Sequence, residues 1–284
     1  MNTLTLPGPI VSVSWLSDHL DDPRLVVLDA SMKPVTATSP AQEKGDAGRI
    51  RGARVFDFDT KICDRSSALP HMMPTPELFE REARALGVCR DSVIVAYDRV
   101  GVYSSPRAWW MWKAMGHDAV AVLDGGLPAW IEAGLPCAPA VEAEIPPGDF
   151  VAHPRPLLFC DAAHVEGALA DDRFAVIDAR SEGRFRGVEP EPRAGLRLGH
   201  MPNARNLPWS AVQERGRMLA PEQLTALFAE RASKRQRLIF SCGSGVTACV
   251  LALAADLAGH REIAVYDGSW SEWGQPSSRP VVTT

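Results

Sequence analysis

No two cysteines in this 284-residue chain form a C-x-x-C pair, and no Cys/His grouping has zinc-ligand spacing. The six cysteines, Cys63, Cys89, Cys137, Cys160, Cys242 and Cys249, are scattered singly, which argues for free thiols in a reducing compartment. No apolar run approaches the roughly 18 residues of a membrane span. The longest candidate, 248–258, is shorter and holds Asp256. Residues 1–11 lack a basic stretch leading into an apolar one, so no secretory signal is read there and the cytoplasm is the expected location. The net charge is only -5 and the arginines are dispersed, which excludes the clustered basic face of a nucleic-acid binder. Neither nucleic acid nor membrane is an expected partner.

What the chain does have is an ordinary globular composition, 46% hydrophobic and 23% charged, over a length that suits two domains with a core each. It also repeats itself. Residues 26–30 (VVLDA) match 175–179 (AVIDA), 48–53 (GRIRGA) match 199–204 (GHMPNA), and 121–126 (AVLDGG) match 264–269 (AVYDGS). A tryptophan stands six residues beyond the aspartate of each last pair, Trp130 after Asp124 and Trp273 after Asp267. The order is kept and the period is far longer than a solenoid unit, so a duplicated domain is expected. Between the copies lie Pro136, Pro139, Pro146, Pro147, Pro154 and Pro156. Proline removes donors and fixes φ, so this stretch is expected to be irregular, a semi-rigid linker. The expected domains are 1–138 and 158–284, joined by 139–157.

Within each copy, strand-length apolar runs such as 93–97 and 238–241 alternate with helical patterns. Pro76 and Pro221 suit first helical positions, and Gly116 and Gly259 suit the residue just past a helix. The pattern predicts an α/β fold with mostly parallel sheets, helices covering both faces.

The sharpest chemical signal is the segment 241–248, SCGSGVTA, which follows a buried strand and leads into an apolar helix. Active sites of open α/β sheets lie at the carboxyl ends of strands. Gly243 and Gly245 allow a tight curl that turns successive N–H groups inward, a nest for an anion next to a helix start. A cysteine at the mouth of that nest is favoured as thiolate, the nucleophilic form. Cys249, one turn into the helix, reads as core packing. The position of the phosphate-clamping arginine of a cysteine phosphatase, six residues past the nucleophile, is Ala248, and the Lys of a nucleotide-binding P-loop is missing after Gly245. Both chemistries are set aside.

These residues resemble the tandem-rhodanese sulfurtransferases, over essentially the whole chain. In that family a six-residue loop opens with the sulfur-carrying cysteine. One branch, acting on thiosulfate, has basic residues after it (Cys-Arg-Lys-Gly-Val-Thr). The branch acting on 3-mercaptopyruvate has Cys-Gly-Ser-Gly-Val-Thr, which stands at Cys242, Gly243, Ser244, Gly245, Val246 and Thr247. Thiosulfate is a dianion and calls for a cation in the loop, whereas mercaptopyruvate carries its charge on a carboxylate remote from sulfur. The segment 183–193 (GRFRGVEPEPR) resembles the family's carboxylate-binding stretch, which implies Arg184 and Arg193 as substrate residues. Arginine's planar fork suits a carboxylate. Arg186 and Arg197 read as surface or structural arginines. The resemblance also implies that Ser244 is coupled to His71 and an aspartate of the first domain, Asp59, with Asp64 as a rival because the spacing between Asp59 and His71 is one residue longer than in the relatives. A structural hydrogen-bond network is the other reading of those residues. In the first copy Asp98 stands where the second has Cys242, so that domain is expected to be catalytically silent. Met201 and Asn203 depart from the family's Gly-His-x-Pro-Gly-Ala segment, with little consequence expected.

Transfer of sulfur through a Cys242 persulfide is then implied, from 3-mercaptopyruvate to a thiol such as thioredoxin or a small dithiol, or to cyanide, by a ping-pong path without metal or organic cofactor. Thiosulfate:cyanide sulfurtransferase chemistry, and a persulfide carrier or regulatory module without turnover, stay open as alternatives.

Overall fold

The computed structural model describes residues 4–33, 48–139 and 145–284. It forms two compact units, one made of Met1–Cys63, Met73–Arg155 and Arg215–Arg217, the other of Asp64–Met72, Pro156–Glu214 and Met218–Thr284.

The first unit is built on five parallel strands: β1 (Ile10–Val11), β2 (Leu25–Asp29), β3 (Arg54–Val55), β4 (Val93–Tyr97) and β5 (Val120–Leu123), in the order β1-β5-β4-β2-β3. Every residue of β4 and β5 is buried, as a central parallel strand covered on both faces requires. Alternation divides those residues between two layers. Val27, Val95, Tyr97, Ala121 and Leu123 share one cluster with Leu16 of α1 (Val13–His19) and with Leu127 and Trp130 of α4 (Gly126–Glu132). The intervening residues are equally buried, and the almost wholly buried α3 (Ser105–Ala114) packs on β4 and β5. The helix α2 (Pro76–Ala85) starts as expected at Pro76, capped by Thr75, whose hydroxyl accepts from the Leu78 amide at 3.3 Å.

The second unit repeats the plan with β6 (Phe159–Cys160), β7 (Phe174–Asp178), β8 (Arg205–Asn206), β9 (Arg237–Ser241) and β10 (Ile263–Tyr266), in the order β6-β10-β9-β7-β8. Each strand stands where its counterpart stands in the first sheet, so the duplication read from the motifs is a duplication of topology. Its helices are α5 (Ala162–Ala168), α6 (Glu182–Arg186), α7 (Pro221–Ala229), α8 (Ala248–Leu257) and α9 (Ser269–Trp273). Trp270 and Trp273 cluster with Val176, Ile239 and Tyr266, and Trp273 donates to Pro280 O much as Trp130 donates to Pro136 O. Eight residues of α8 are buried, so a Leu→Ala change there is expected to cost about 2–5 kcal/mol. Gly116 and Gly259 both hold φ of 88° past the ends of α3 and α8, the left-handed value expected of them.

The proline-rich interval corrects one expectation. Residues 140–144 of it lie outside the described ones, but Cys137–Ala138 is a short strand paired antiparallel with Arg49–Ile50, and Pro156–Leu158 is a single 3₁₀ turn. Residues 148–155 are also not a free spacer. The amides of Gly148, Phe150, His153 and Arg155 donate to Arg84, Val88, Met115 and Ala114, and Phe150 is buried against Phe79 and Trp112. The physical reason is that prolines placed between donors leave those donors able to pair outward with a neighbouring segment. Asn203 also finds its explanation here. It adopts φ of 63°, the conformation a glycine would take, and its side-chain amide is held by Leu169 O at 3.0 Å. Among the described residues no helix is long and apolar enough to cross a membrane.

Candidate active site

Strand β9 delivers the chain to Cys242, and α8 begins at Ala248, so the loop 242–247 opens at the carboxyl edge of the second sheet. Cys242 is buried and held from three directions. Its amide donates to Ser269 Oγ at 3.1 Å, its carbonyl accepts from the Trp270 amide at 3.0 Å, and the next carbonyl, of Gly243, accepts from both the amide (2.8 Å) and the hydroxyl (2.7 Å) of Ser271. Ser269 in turn donates to Tyr266 O at 2.8 Å and holds φ of 48°, rare for a residue with a Cβ. The start of α9 thus clamps the start of the loop. Neither serine was singled out from the sequence. Ser269 could have been found, because it stands where the first copy has Gly126, at φ of 55°.

The two loop glycines serve different purposes. Gly245 holds φ of 74° and permits the curl, as expected. Gly243 does not hold a positive φ. A Cβ placed on it would lie 3.2 Å from Arg184 Nη2 and 3.7 Å from Arg193 Nη1, so a side chain there crowds the approach of the two guanidiniums. Ser244 and Val246 are buried beside it, Thr247 accepts from the Val250 amide, and Cys249 points back to Gly245 O at 3.2 Å, a packing role.

The first unit shows what this turn is built to hold. Leu127 donates to Asp98 O at 2.9 Å, as Trp270 does to Cys242 O, so the two residues occupy one position of the repeat. The Asp98 carboxylate accepts from the amides of Val100, Gly101, Tyr103, Ser104 and Ser105 at 2.9–3.1 Å, and from the Ser105 hydroxyl at 2.7 Å. A ring of inward N–H groups closes on a negative side chain that is wholly buried.

Arg184 lies on the five-residue helix α6, just ahead of the Glu- and Pro-rich stretch 189–193. Ser181 caps the helix and Gly187, at φ of 80°, ends it. Arg184 donates through Nη2 to Glu191 Oε2 at 2.6 Å and through Nε to Oε1 at 3.3 Å. Oε1 also accepts from Arg180 Nη1 at 2.6 Å, and Arg180 is bound a second time by Asp178 at 2.7 Å. Its guanidinium lies 4.0 Å over the Trp270 ring, which places this ion network against the clamp on Cys242. Arg180 and Glu191 are further residues that the sequence reading missed. Arg193 Nη2 sits 3.4 Å from both Ser244 Oγ and His71 Nε2. His71 is buried, with φ of 61°, and belongs to the second unit.

Asp59 belongs to the first unit, where its amide donates to Asp57 and its carbonyl accepts from Cys63 Sγ. Asp64 turns its carboxylate onto the hydroxyl and amide of Ser66, which hold it below the usual carboxylate range. Arg197 binds the carbonyls of Trp273 and Arg279, and Arg186 pairs with Glu182, so both are structural. Burial, then Asp161 and Asp267, push the Cys160 thiol up to about 12, which separates it from any nucleophilic role. Among the described residues no group of His, Cys, Asp and Glu is placed to hold a metal ion.

The rhodanese-like domain model matches twice, at residues 12–133 and 161–276. The chain belongs to the rhodanese-like family. Each of its two sheets therefore carries one rhodanese-like domain. The chain is 38% identical over 278 residues to a protein of Escherichia coli named 3-mercaptopyruvate sulfurtransferase, covering 95% of this chain and 96% of that one. A human protein of the same name is 39% identical over 272 residues, 93% and 91% of the two chains. The crystal structure of SseA from Escherichia coli superposes with a TM-score of 0.81 at 37% identity, covering 93% of this rhodanese-like chain and all of that one.

Proposed function

We propose that this rhodanese-like protein is a sulfurtransferase that takes sulfur from 3-mercaptopyruvate onto Cys242 and hands it to a thiol or to cyanide. The observation that carries the reading is the convergence of two guanidiniums, Arg184 and Arg193, on the face of Gly243, directly beside a cysteine in a loop without charge of its own. The relatives' shared name supports the same donor.

In the first half-reaction, Arg184 and Arg193 hold the donor's carboxylate and keto oxygen. The Cys242 thiolate attacks the donor sulfur. The new S–S bond forms as the C–S bond breaks, and that bond's electron pair leaves as the enolate of pyruvate. The proton carried by the donor thiol ends on the enolate carbon, so the products are pyruvate and an anionic Cys242 persulfide. Gly243, Gly245, Val246 and Thr247 supply the backbone that cradles the outer sulfur, in the manner that the first unit's loop cradles the Asp98 carboxylate. Ser244 and His71, joined through Arg193, polarise the keto group and move the proton. In the second half-reaction an acceptor thiolate attacks the outer sulfur and Cys242 leaves as thiolate. With a dithiol such as thioredoxin, the acceptor's second thiol then expels hydrosulfide and a disulfide remains. A cytoplasmic setting would keep such acceptors reduced. Residues 1–138 act as a silent partner domain.

The test is a paired assay with purified protein. One arm supplies 3-mercaptopyruvate and a dithiol and follows pyruvate and sulfide. The other supplies thiosulfate and cyanide and follows thiocyanate. The expected result is dominance of the first arm and its loss in Cys242→Ala. Dominance of the second arm would overturn the donor assignment, and silence of both from folded protein would point to a carrier without turnover.

A further inference from the structure

We infer that Glu191 sets the charge of the donor site and thereby selects a monoanionic sulfur donor over a dianionic one. The inference rests on the donor site proposed above and deepens it. The Glu191 side chain is 3% exposed and its carboxylate is divided between Arg180 and Arg184, with contacts of 2.6 Å to each. Arg180 is balanced again by Asp178, both wholly buried. Arg193 has no acidic partner among the described residues and meets only a hydroxyl and an imidazole. Three guanidiniums against two carboxylates leave the network with one net positive charge, and that charge belongs to the side of the site that faces the loop.

The geometry narrows the ligand further. A guanidinium has five N–H donors. Glu191 takes Nε–H and one N–H of Nη2 from Arg184, which leaves the end of the fork, Nη1 and the second N–H of Nη2. Nη2 is also the nitrogen nearest the face of Gly243. Arg184 is thus presented end-on to a ligand over the loop, able to grip a carboxylate with two parallel bonds while its far edge is already compensated. With the Cys242 thiolate already beside the network, a monocarboxylate adds one negative charge and a dianion two, and each uncompensated charge in a half-buried site is costly.

The experiment compares wild type with Glu191→Gln and Glu191→Asp. The ratio of kcat/KM for 3-mercaptopyruvate to that for thiosulfate is measured with cyanide as the common acceptor. Independently of turnover, protection of Cys242 from iodoacetamide is measured by mass spectrometry with pyruvate (a monoanion) and malonate (a dianion). Glu191→Gln is expected to shift the ratio about tenfold toward thiosulfate and to make malonate the better protector. Glu191→Asp, which keeps the charge and shortens the reach, is expected to keep the wild-type preference even where its rates fall. Parallel loss of both donors at an unchanged ratio in Glu191→Gln would overturn the inference, as would an equal shift in Glu191→Asp. Failure of the donor reading shows separately, as wild type that does not turn over 3-mercaptopyruvate while the protection assay still reports its charge preference.

Discussion

The amide of Cys242 donates to the hydroxyl of Ser269, 27 residues away in sequence, and Ser269 accepts it from a backbone angle that residues with a Cβ seldom adopt. A strained conformation kept at the side-chain acceptor of the Cys242 amide reads as orientation of the loop.

Ser269→Gly should relieve the strain but lose the acceptor, while Ser269→Ala loses the acceptor and keeps the strain. Both are expected to lower kcat for sulfur transfer by about tenfold, with Ser269→Ala also lowering the melting temperature more than Ser269→Gly. Steady-state kinetics beside calorimetry checks both. Full activity in Ser269→Gly would show that the clamp does not orient Cys242.

Asp98→Asn replaces one carboxylate oxygen with a donor that faces amide donors. The expected cost is about 3 kcal/mol of stability, read in chemical denaturation followed by tryptophan fluorescence, since Trp109, Trp110 and Trp112 lie on the helix that this loop opens. An unchanged midpoint would mean that the nest does not depend on its anion.

Arg193→Lys keeps the charge and loses the planar fork. The expected outcome is a KM for 3-mercaptopyruvate raised about tenfold or more at a similar melting temperature. An effect confined to kcat would assign Arg193 to the Ser244 and His71 side of the reaction rather than to carboxylate binding.

Three histidines resist protonation in the folded state, His117, His200 and His260, each lowered from 6.5 chiefly by burial. The unfolded chain takes up those protons near 6.5, so the stability they allow is complete above that pH and is lost as pH falls from there toward the folded values. Melting temperature should therefore drop between pH 7 and pH 5. His200→Asn, which removes a ring stacked 3.8 Å from Phe185, should start lower and show a shallower drop. A wild-type profile flat across that range would contradict this account.

Much of the fold was legible because duplication writes each signal twice. Pro76 and Pro221 mark the same helix start, and two sets of apolar runs produce two sheets of one order. The placement of Cys242 at a sheet edge was legible because a strand, a Gly-x-Gly turn and an apolar helix follow in immediate succession. Glu191 and Arg180 were not. An acidic residue between prolines, and an arginine just past a strand, read as solvated charges, and only the return of the chain after α6 brings them together. The role of Gly243 was misread for a related reason. A glycine near a turn suggests backbone freedom, while the actual demand comes from side chains distant in sequence. The linker was misjudged because proline content reports missing donors and not where the remaining donors go.

The carboxylate nest of the first copy bears on how much freedom position 98 has. A neutral side chain at position 98 would leave a ring of buried amides pointing at one another with nothing to receive them. The loop of the first copy thus holds a permanently tethered anion, where the reaction proposed for the second would remake one at each turnover.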